Sequence, residues 1–317
     1  MQSKKSLRPQ NFEEFIGQRR LVHTLKIMID SAIKRKVMCD HILLHGKPGI
    51  GKTSLALLIA KEMNTGIKFA QGSLMEKKAD ILSLFATIQK NDVIFIDEFH
   101  GINKQVEELI YSALEDGVID IPIGIDGESK IVRMKLPPFT MIGATTKFNK
   151  ISLPLRERFG LIGKLIDYEK EELISIINIT SKKLKIKGTK EAKELIASYS
   201  NFIPRTANNL LKRCRDFSLS EDKKQIDKEM VLKTFRFIGL YKYGLNDMHI
   251  EYIKVLGNVF NGGWTSLEAI SGVICESKEN IEQDIEPILL KRSLLKKSSR
   301  GRMLTTKGIN YLTTYNL

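Results

Sequence analysis

Cysteine is scarce in this 317-residue chain, and the three that occur, Cys39, Cys214 and Cys275, lie far apart with no CxxC pair. That excludes a disulfide framework and the paired-thiolate spacing of a zinc site, and leaves three buried thiols as the expectation. No apolar run approaches the ~20 residues of a membrane span, and the opening MQSKKSLRPQ is basic without the apolar stretch of a leader behind it. The expectation is a cytoplasmic protein with no membrane role. Proline and glycine are sparse, at 8 and 22 residues, while hydrophobic content is 42%, so disordered and low-complexity architectures are excluded. Acid is also short: 37 Asp and Glu face 51 Lys and Arg, a net charge of +14 that favours a polyanionic partner such as nucleic acid. The richness in both Lys and Ile discounts that sum, because an AT-rich genome produces it. Where the charge concentrates therefore carries more weight.

The chain exceeds the roughly 250–300 residues at which single cores stop growing, so more than one domain is expected. Three regions follow from composition. Residues 1–165 alternate short apolar runs (HILLHG, VIFIDE, FTMIGAT) with amphipathic helical stretches, the pattern of an α/β domain with a buried parallel sheet. Residues 166–239 hold no strand-like run, and KEAKELIASYS and PRTANNLLKRCRDFS read as helices, so this region is expected to be all helical. Residues 240–317 read as three helices and a short hairpin around SLLKKSSRGRMLTT, the order of a winged helix.

The strongest local signal is GKPGIGKTS at 46–54, which matches the phosphate-binding loop G-x-x-x-x-G-K-S/T between a strand (HILLH) and a helix (SLALLIAKEM). Gly49 and Gly51 let backbone N–H groups converge on phosphate oxygens at a helix N-terminus, Lys52 reaches the β- and γ-phosphates, and the Thr53 hydroxyl meets Mg²⁺. Ser54 follows within the same helical turn. Forty residues on, NDVIFIDEFH at 91–100 is an apolar strand ending in two acids. Asp97 is placed to hold the Mg²⁺ shell and Glu98 to polarise a water for attack on the γ-phosphate, which makes a hydrolase rather than a nucleotide switch. FTMIGATTK at 139–147 is a further apolar strand, whose Thr145 and Thr146 are expected beside the γ-phosphate or that water.

ISLPLRERFG at 151–160 carries Arg156 and Arg158 between Pro154 and Gly160. Residue chemistry alone reads them equally well as solvated helix surface. Residues 119–135 read as two alternating strands around the turn signal Asp126 to Glu128, with Ile121, Ile123 and Ile125 on one face as a partner surface. Between Lys291 and Lys307 the chain holds seven Lys and Arg residues and no acid. Such a wing would lie against a phosphate backbone without reading sequence, with Lys297, Arg300 and Arg302 as contacts and Lys278 as a further one.

The phosphate loop, the DE strand end, the threonine-tipped strand and the RERFG arginines, followed by a helical region, together resemble an AAA+ ATPase. LRPQNFEEFIGQ (7–18), LEDGVIDIPIG (114–124), LPPFTMIGATTKFNKISLPLRERFG (136–160), IPRTANNLLKRCRDF (203–217) and RGRMLTTKG (300–308) resemble the RuvB family of Holliday-junction branch-migration motors. The resemblance implies an AAA+ P-loop domain, an all-helical lid and a winged helix, assembled as a homo-hexamer that binds ATP and Mg²⁺ and moves double-stranded DNA at four-way junctions. It implies that Arg158 is an arginine finger completing a neighbour's site, with Arg156 serving packing or the interface. It makes Arg205 the second sensor of the γ-phosphate, catalytic together with Glu98, Thr146 and Arg158. It further places Leu7, Arg8 and Tyr168 around adenine and ribose, with Glu115, Asp116 and Gly117 near the same pocket. The hairpin at 119–135 would dock a RuvA-like junction-binding protein.

Phe99, Gly101, Gly117, Trp264 and Ser266 depart from the family pattern without removing a catalytic group. A clamp-loader-like or other replication ATPase is an alternative that the winged helix and the LPPFT segment disfavour. A DNA-binding regulator switched by nucleotide is another, disfavoured by Glu98 and Arg158.

Overall fold

A computed structural model describes residues 7–123 and 130–314, in two compact units that divide at Glu172 and Leu173. In the first unit the order is α1 (Arg19–Arg35), β1 (Ile42–His45), α2 (Lys52–Glu62), β2 (Ile67–Gln71), α3 (Lys78–Ala86), β3 (Val93–Asp97) and α4 (Lys104–Glu115). There follow β4 (Val118–Ile123), β5 (Lys130–Lys135), β6 (Thr140–Thr145), α5 (Leu153–Arg156) and β7 (Leu161–Lys164). Five strands form one parallel sheet in the order β2-β3-β6-β1-β7. The three inner strands read as continuous apolar runs because both of their faces are covered, and Ile42, Leu43, Leu44, Ile94, Ile96, Met141 and Ile142 are fully buried. Edge strands β2 and β7 leave Phe69 and Ile162 exposed.

This order decides where chemistry can occur. In a parallel sheet every strand ends on the same edge, and the crevice outside those carboxyl ends takes the ligand. His45 pairs with Thr145 and Ile96 with Gly143, so the phosphate loop after β1, the threonines after β6 and the acids after β3 share that edge.

β4 and β5 form a separate antiparallel ribbon, with Ile121 opposite Val132. The expected turn at Asp126 to Glu128, and Ile125, lie outside the described residues. Of the expected apolar face Ile121 is partly buried, and the side chain of Ile123 lies outside those described. Ile119 is fully buried and Ile121 packs on the core, while Ile131 and Val132 of β5 are 71% and 45% exposed. The apolar core lies beneath the ribbon and claims the inward positions of β4.

The second unit begins within α6 (Lys170–Leu184) and continues through α7 (Lys190–Ser198), α8 (Pro204–Ser220) and α9 (Lys228–Phe237). Each start has a local cause: Thr189 accepts from the Ala192 N–H, Pro204 opens α8, and Asp227 accepts from the Met230 N–H at 2.8 Å. Next come α10 (Asp247–Lys254), α11 (Leu267–Ile274), α12 (Lys278–Asn280) and α13 (Glu286–Lys291), then β8 (Leu295–Ser298), β9 (Gly301–Leu304) and α14 (Thr306–Thr314). Tyr252, Leu256, Ile270, Ile281, Leu289 and Leu304 close a core of their own. The three helices and hairpin expected from the sequence are present, α12 and α13 forming one run through a π turn at Ile281–Ile285, followed after the hairpin by α14, and Thr265 adds a third short rung by exchanging two 2.8 Å backbone bonds with Arg302. Cys39 and Cys214 are buried as expected, but Cys275 is exposed, because it terminates α11 in a left-handed conformation at φ 54°.

Candidate active site and basic wing

The phosphate loop is built around backbone geometry that side chains resist. Gly49 and Gly51 have φ 75° and 118°, and a Cβ on Gly51 would stand 3.3 Å from the Phe15 ring. α2 starts immediately after, and its first helical bond runs from Leu55 N to Gly51 O, so the N–H groups of Lys52, Thr53 and Ser54 precede the ladder and face outward. Lys52 is buried, and its ammonium donates to the carbonyls of Gly46 at 2.8 Å and Lys47 at 3.0 Å. A cation folded back over its own loop, above N–H groups that precede the helical ladder, is an anion cradle.

Across the edge, Thr53 Oγ1 donates to Asp97 Oδ2 at 3.3 Å, while Asp97 Oδ1 takes the Glu98 N–H at 3.0 Å. A carboxylate and a hydroxyl side by side suit a hard cation that keeps its water and phosphate ligands. No cluster of three or more His, Cys, Asp or Glu occurs among the described residues, so Mg²⁺ here would take its other ligands from phosphate and solvent. Glu98 stands in a left-handed conformation at φ 47°, which turns its side chain off the strand line into the crevice. Thr146 Oγ1 donates to Glu98 Oε2 at 3.0 Å. Thr145 is fully buried and its hydroxyl accepts the Lys147 N–H, so of the two threonines only Thr146 addresses the site.

His100 was not singled out by the sequence. Its Nδ1 lies 3.3 Å from Glu98 Oε2 and 3.0 Å from Thr145 Oγ1. No pattern in DEFHG signals this, since it depends on the tight turn that follows Glu98. Gly101 has a local cause: a Cβ would come within 2.9 Å of the Ser73 backbone, so the turn is braced by close backbone packing.

Tyr168 is buried beside the loop, with its ring against Gly17 and its hydroxyl 3.6 Å from where a Gly51 Cβ would be; burial pushes its phenol well above the ordinary value. Gln18, also missed, clamps this segment by donating to Ile166 O at 2.7 Å and accepting the Ile166 N–H at 2.9 Å. Arg8 lines a cavity of about 550 Å³ with Pro9, Leu57, Leu58 and Lys61. Leu7 directly precedes it.

Arg158 is elsewhere. α5 carries the chain from the end of β6 back to the start of β7, where Leu161 pairs with Ile42, the first residue of β1. The phosphate loop follows the last residue of β1, so β1's four residues, about 13 Å at 3.3 Å each, separate the two along the strand direction. The Arg158 guanidinium stacks 4.6 Å from the Tyr111 ring centre, donates to the Tyr111 hydroxyl and pairs with Glu115. Glu115, Asp116 and Gly117, expected near Tyr168's pocket, accordingly lie with Arg158 at the end of α4. Arg156 packs within its own domain, donating to Ile151 O at 2.9 Å and stacking on Phe148.

In the second unit Arg205 is exposed in the first turn of α8. A cation there opposes the helix dipole, so helix stability does not account for it. In the wing, Arg302 departs from the expected outward cation. It is 8% exposed, and its Nε donates at 2.7 Å to Glu286, itself 1% exposed, while Nη2 donates at 2.7 Å to Glu282. Lys297 reaches the same two acids at 2.7 and 3.2 Å, and hydrogen bonding to Glu282 raises its affinity for its proton. Lys278 is paired with Glu268. The acids sit on the helical segment before the hairpin, so a run without acid in sequence is partly neutralised in space. Arg300 and Lys296 are exposed, with no ion pair found for them among the described residues.

Arg300→Ala should therefore flatten the slope of log DNA affinity against log salt by about one unit. Arg302→Ala should act through stability instead, costing about 3–5 kcal/mol by leaving Glu286 charged and buried. Salt titrations and thermal melting of both variants separate the two; a full salt-slope effect for Arg302→Ala with no loss of stability would return it to the DNA contacts.

Family models for the Holliday junction DNA helicase RuvB P-loop domain, the RuvB AAA lid domain and the RuvB C-terminal winged helix domain match residues 7–165, 168–240 and 242–313. The chain belongs to the RuvB family. It is 52% identical over 306 residues to a Holliday junction branch migration complex subunit RuvB of Mesomycoplasma hyopneumoniae, covering 96% of each chain. A RuvB subunit of the same description from Mycoplasmopsis pulmonis is 50% identical over 312 residues, covering 98% of this chain and 99% of that one. Among solved structures, the Thermotoga maritima RuvB Holliday junction branch migration motor superposes with a TM-score of 0.83 at 35% identity, over 97% of this chain and 98% of that one. As a RuvB protein the chain is an ATP-dependent AAA+ enzyme, and its P-loop domain binds nucleotide.

Proposed function

We propose that the chain drives Holliday-junction branch migration in recombination and DNA repair, as a hexameric ring acting on double-stranded junction arms with a RuvA-like partner. The observation that carries this reading is the division of the catalytic groups. Lys52, Thr53, Asp97, Glu98 and Thr146 share one edge of the sheet, while Arg158, with Glu115 at its side, lies at the other. A finger on the far edge serves phosphate only on another copy, which calls for a ring.

In each site the Lys52 ammonium and the α2 N–H groups hold the β- and γ-phosphates, and Tyr168 packs beside the base. Thr53 and Asp97 would hold Mg²⁺, which when bound neutralises phosphate charge. Glu98 orients a water and takes up its proton as the γ-phosphoryl group passes to the water oxygen and ADP leaves. Thr146 contacts the γ-phosphate, the neighbour's Arg158 stabilises the charge developing on it, and Arg205 reports the nucleotide state to the lid. Arg300 and Lys296 support duplex binding through phosphates, and the exposed Ile131 and Val132 of the ribbon support docking of the RuvA-like protein.

The test is a synthetic four-way junction with a labelled arm, incubated with the protein, RuvA, ATP and Mg²⁺. Conversion to two-arm products should require all four and vanish with Lys52→Ala. ATP turnover without arm exchange, under any RuvA ratio, would favour the replication-ATPase alternative.

A further inference from the structure

We infer that His100 is a positioning residue for ATP hydrolysis, holding the Glu98 carboxylate on target by the close approach of its Nδ1 edge; this rests on the reading of Glu98 as the residue that activates water. Glu98 Oε2 is touched from two sides, by Thr146 Oγ1 at 3.0 Å and by His100 Nδ1 at 3.3 Å. A carboxylate only accepts, so the tautomer that makes the second contact favourable carries the proton on Nδ1, which hydrogen-bonds Thr145 Oγ1 at 3.0 Å and turns the positive edge of the ring toward Oε2. Thr145 Oγ1 also accepts the Lys147 N–H, which fixes the hydroxyl that His100 meets. Burial is the main influence lowering the ring's proton affinity, so it serves as a neutral donor rather than a cation competing with Mg²⁺.

The platform beneath the ring is rigid. Phe99 is buried and meets Phe159 edge-on at 5.6 Å, and the turn from Phe99 to Gly101 packs backbone to backbone on Gly72 and Ser73. His100 is thus fixed relative to β3 and β6, whereas Thr146 holds Oε2 through a single hydroxyl hydrogen bond. When the γ-phosphate engages Thr146, one of the two restraints on Oε2 is withdrawn. His100 remains, keeping Oε2 tethered and Oε1 directed at the water. A donor fixed in the scaffold suits this task, because a small misplacement of a reacting group costs rate without costing ground-state binding.

The experiment compares His100→Phe, which fills the space without a donor, and His100→Asn, which offers an amide N–H in place of Nδ1–H, with Glu98→Gln and the native chain. ATP turnover with Mg²⁺ and DNA, and affinity for a fluorescent ATP analogue, are measured for each. His100→Phe should lower kcat by roughly 10- to 100-fold with nucleotide affinity changed less than about twofold, and His100→Asn should recover a large part of the loss. Native or raised turnover in His100→Phe, with Glu98→Gln inactive, overturns the proposal for His100 alone. Near-native turnover in Glu98→Gln overturns the reading beneath it. Loss of nucleotide binding in both His100 variants assigns the residue to folding and also overturns the proposal.

Discussion

Arg158→Ala is expected to bind ATP nearly normally and to lose roughly 10³- to 10⁵-fold in turnover, about 4–7 kcal/mol of transition-state stabilisation. Binding survives because Lys52 and the phosphate loop belong to the edge of the sheet that Arg158 does not reach. Turnover fails because charge spreading over the γ-phosphoryl oxygens loses its matching guanidinium. The resting contacts of Arg158 sharpen the expectation: Tyr111 and Glu115 hold the side chain against α4, away from its own phosphate loop. Mixing supplies the decisive comparison. Arg158→Ala and Lys52→Ala are each inactive, but a mixed ring contains interfaces pairing an intact Arg158 from one copy with an intact Lys52 from the next. ATPase measured across mixing ratios, once mixed rings are demonstrated, should rise above the sum of the parents. A curve that stays on that sum returns Arg158 to the surface charge that its composition alone suggests.

Glu98→Gln should keep nucleotide affinity and lose about 10²- to 10⁴-fold in turnover, the range for removing a positioned general base. The amide preserves the size of the side chain and can still accept from Thr146, so the fold of the turn is not at issue. What disappears is the second lone-pair oxygen and the negative charge that draws a proton from water. Lys52→Ala, by contrast, should weaken binding and turnover together, because its ammonium meets the phosphates in ground and transition states alike. Equilibrium binding beside single-turnover hydrolysis distinguishes the two patterns, and near-native hydrolysis by Glu98→Gln would require another base.

The sequence by itself determined the sheet, the phosphate loop, the acid pair at 97–98 and the three-part organisation, because these rest on local rules. Apolar runs of strand length, glycines before a helix and a carboxylate at a strand end need few distant residues to be recognised. Tertiary structure decided the rest. Which threonine faces the crevice depended on the pairing of β6 between β3 and β1, which buries Thr145 and leaves Thr146 at the rim. That His100 reaches Glu98 followed from a left-handed backbone at Glu98. Arg302 read as an exposed cation in a stretch without acid, yet Glu282 and Glu286, 20 and 16 residues earlier, close on it in space. Likewise Ile121, read as exposed from its alternation, proved to pack on the core beside buried Ile119, while Ile131 and Val132 of β5 are exposed. Charge and apolar surface act through distance, and distance between residues remote in the chain is set only when the chain has folded.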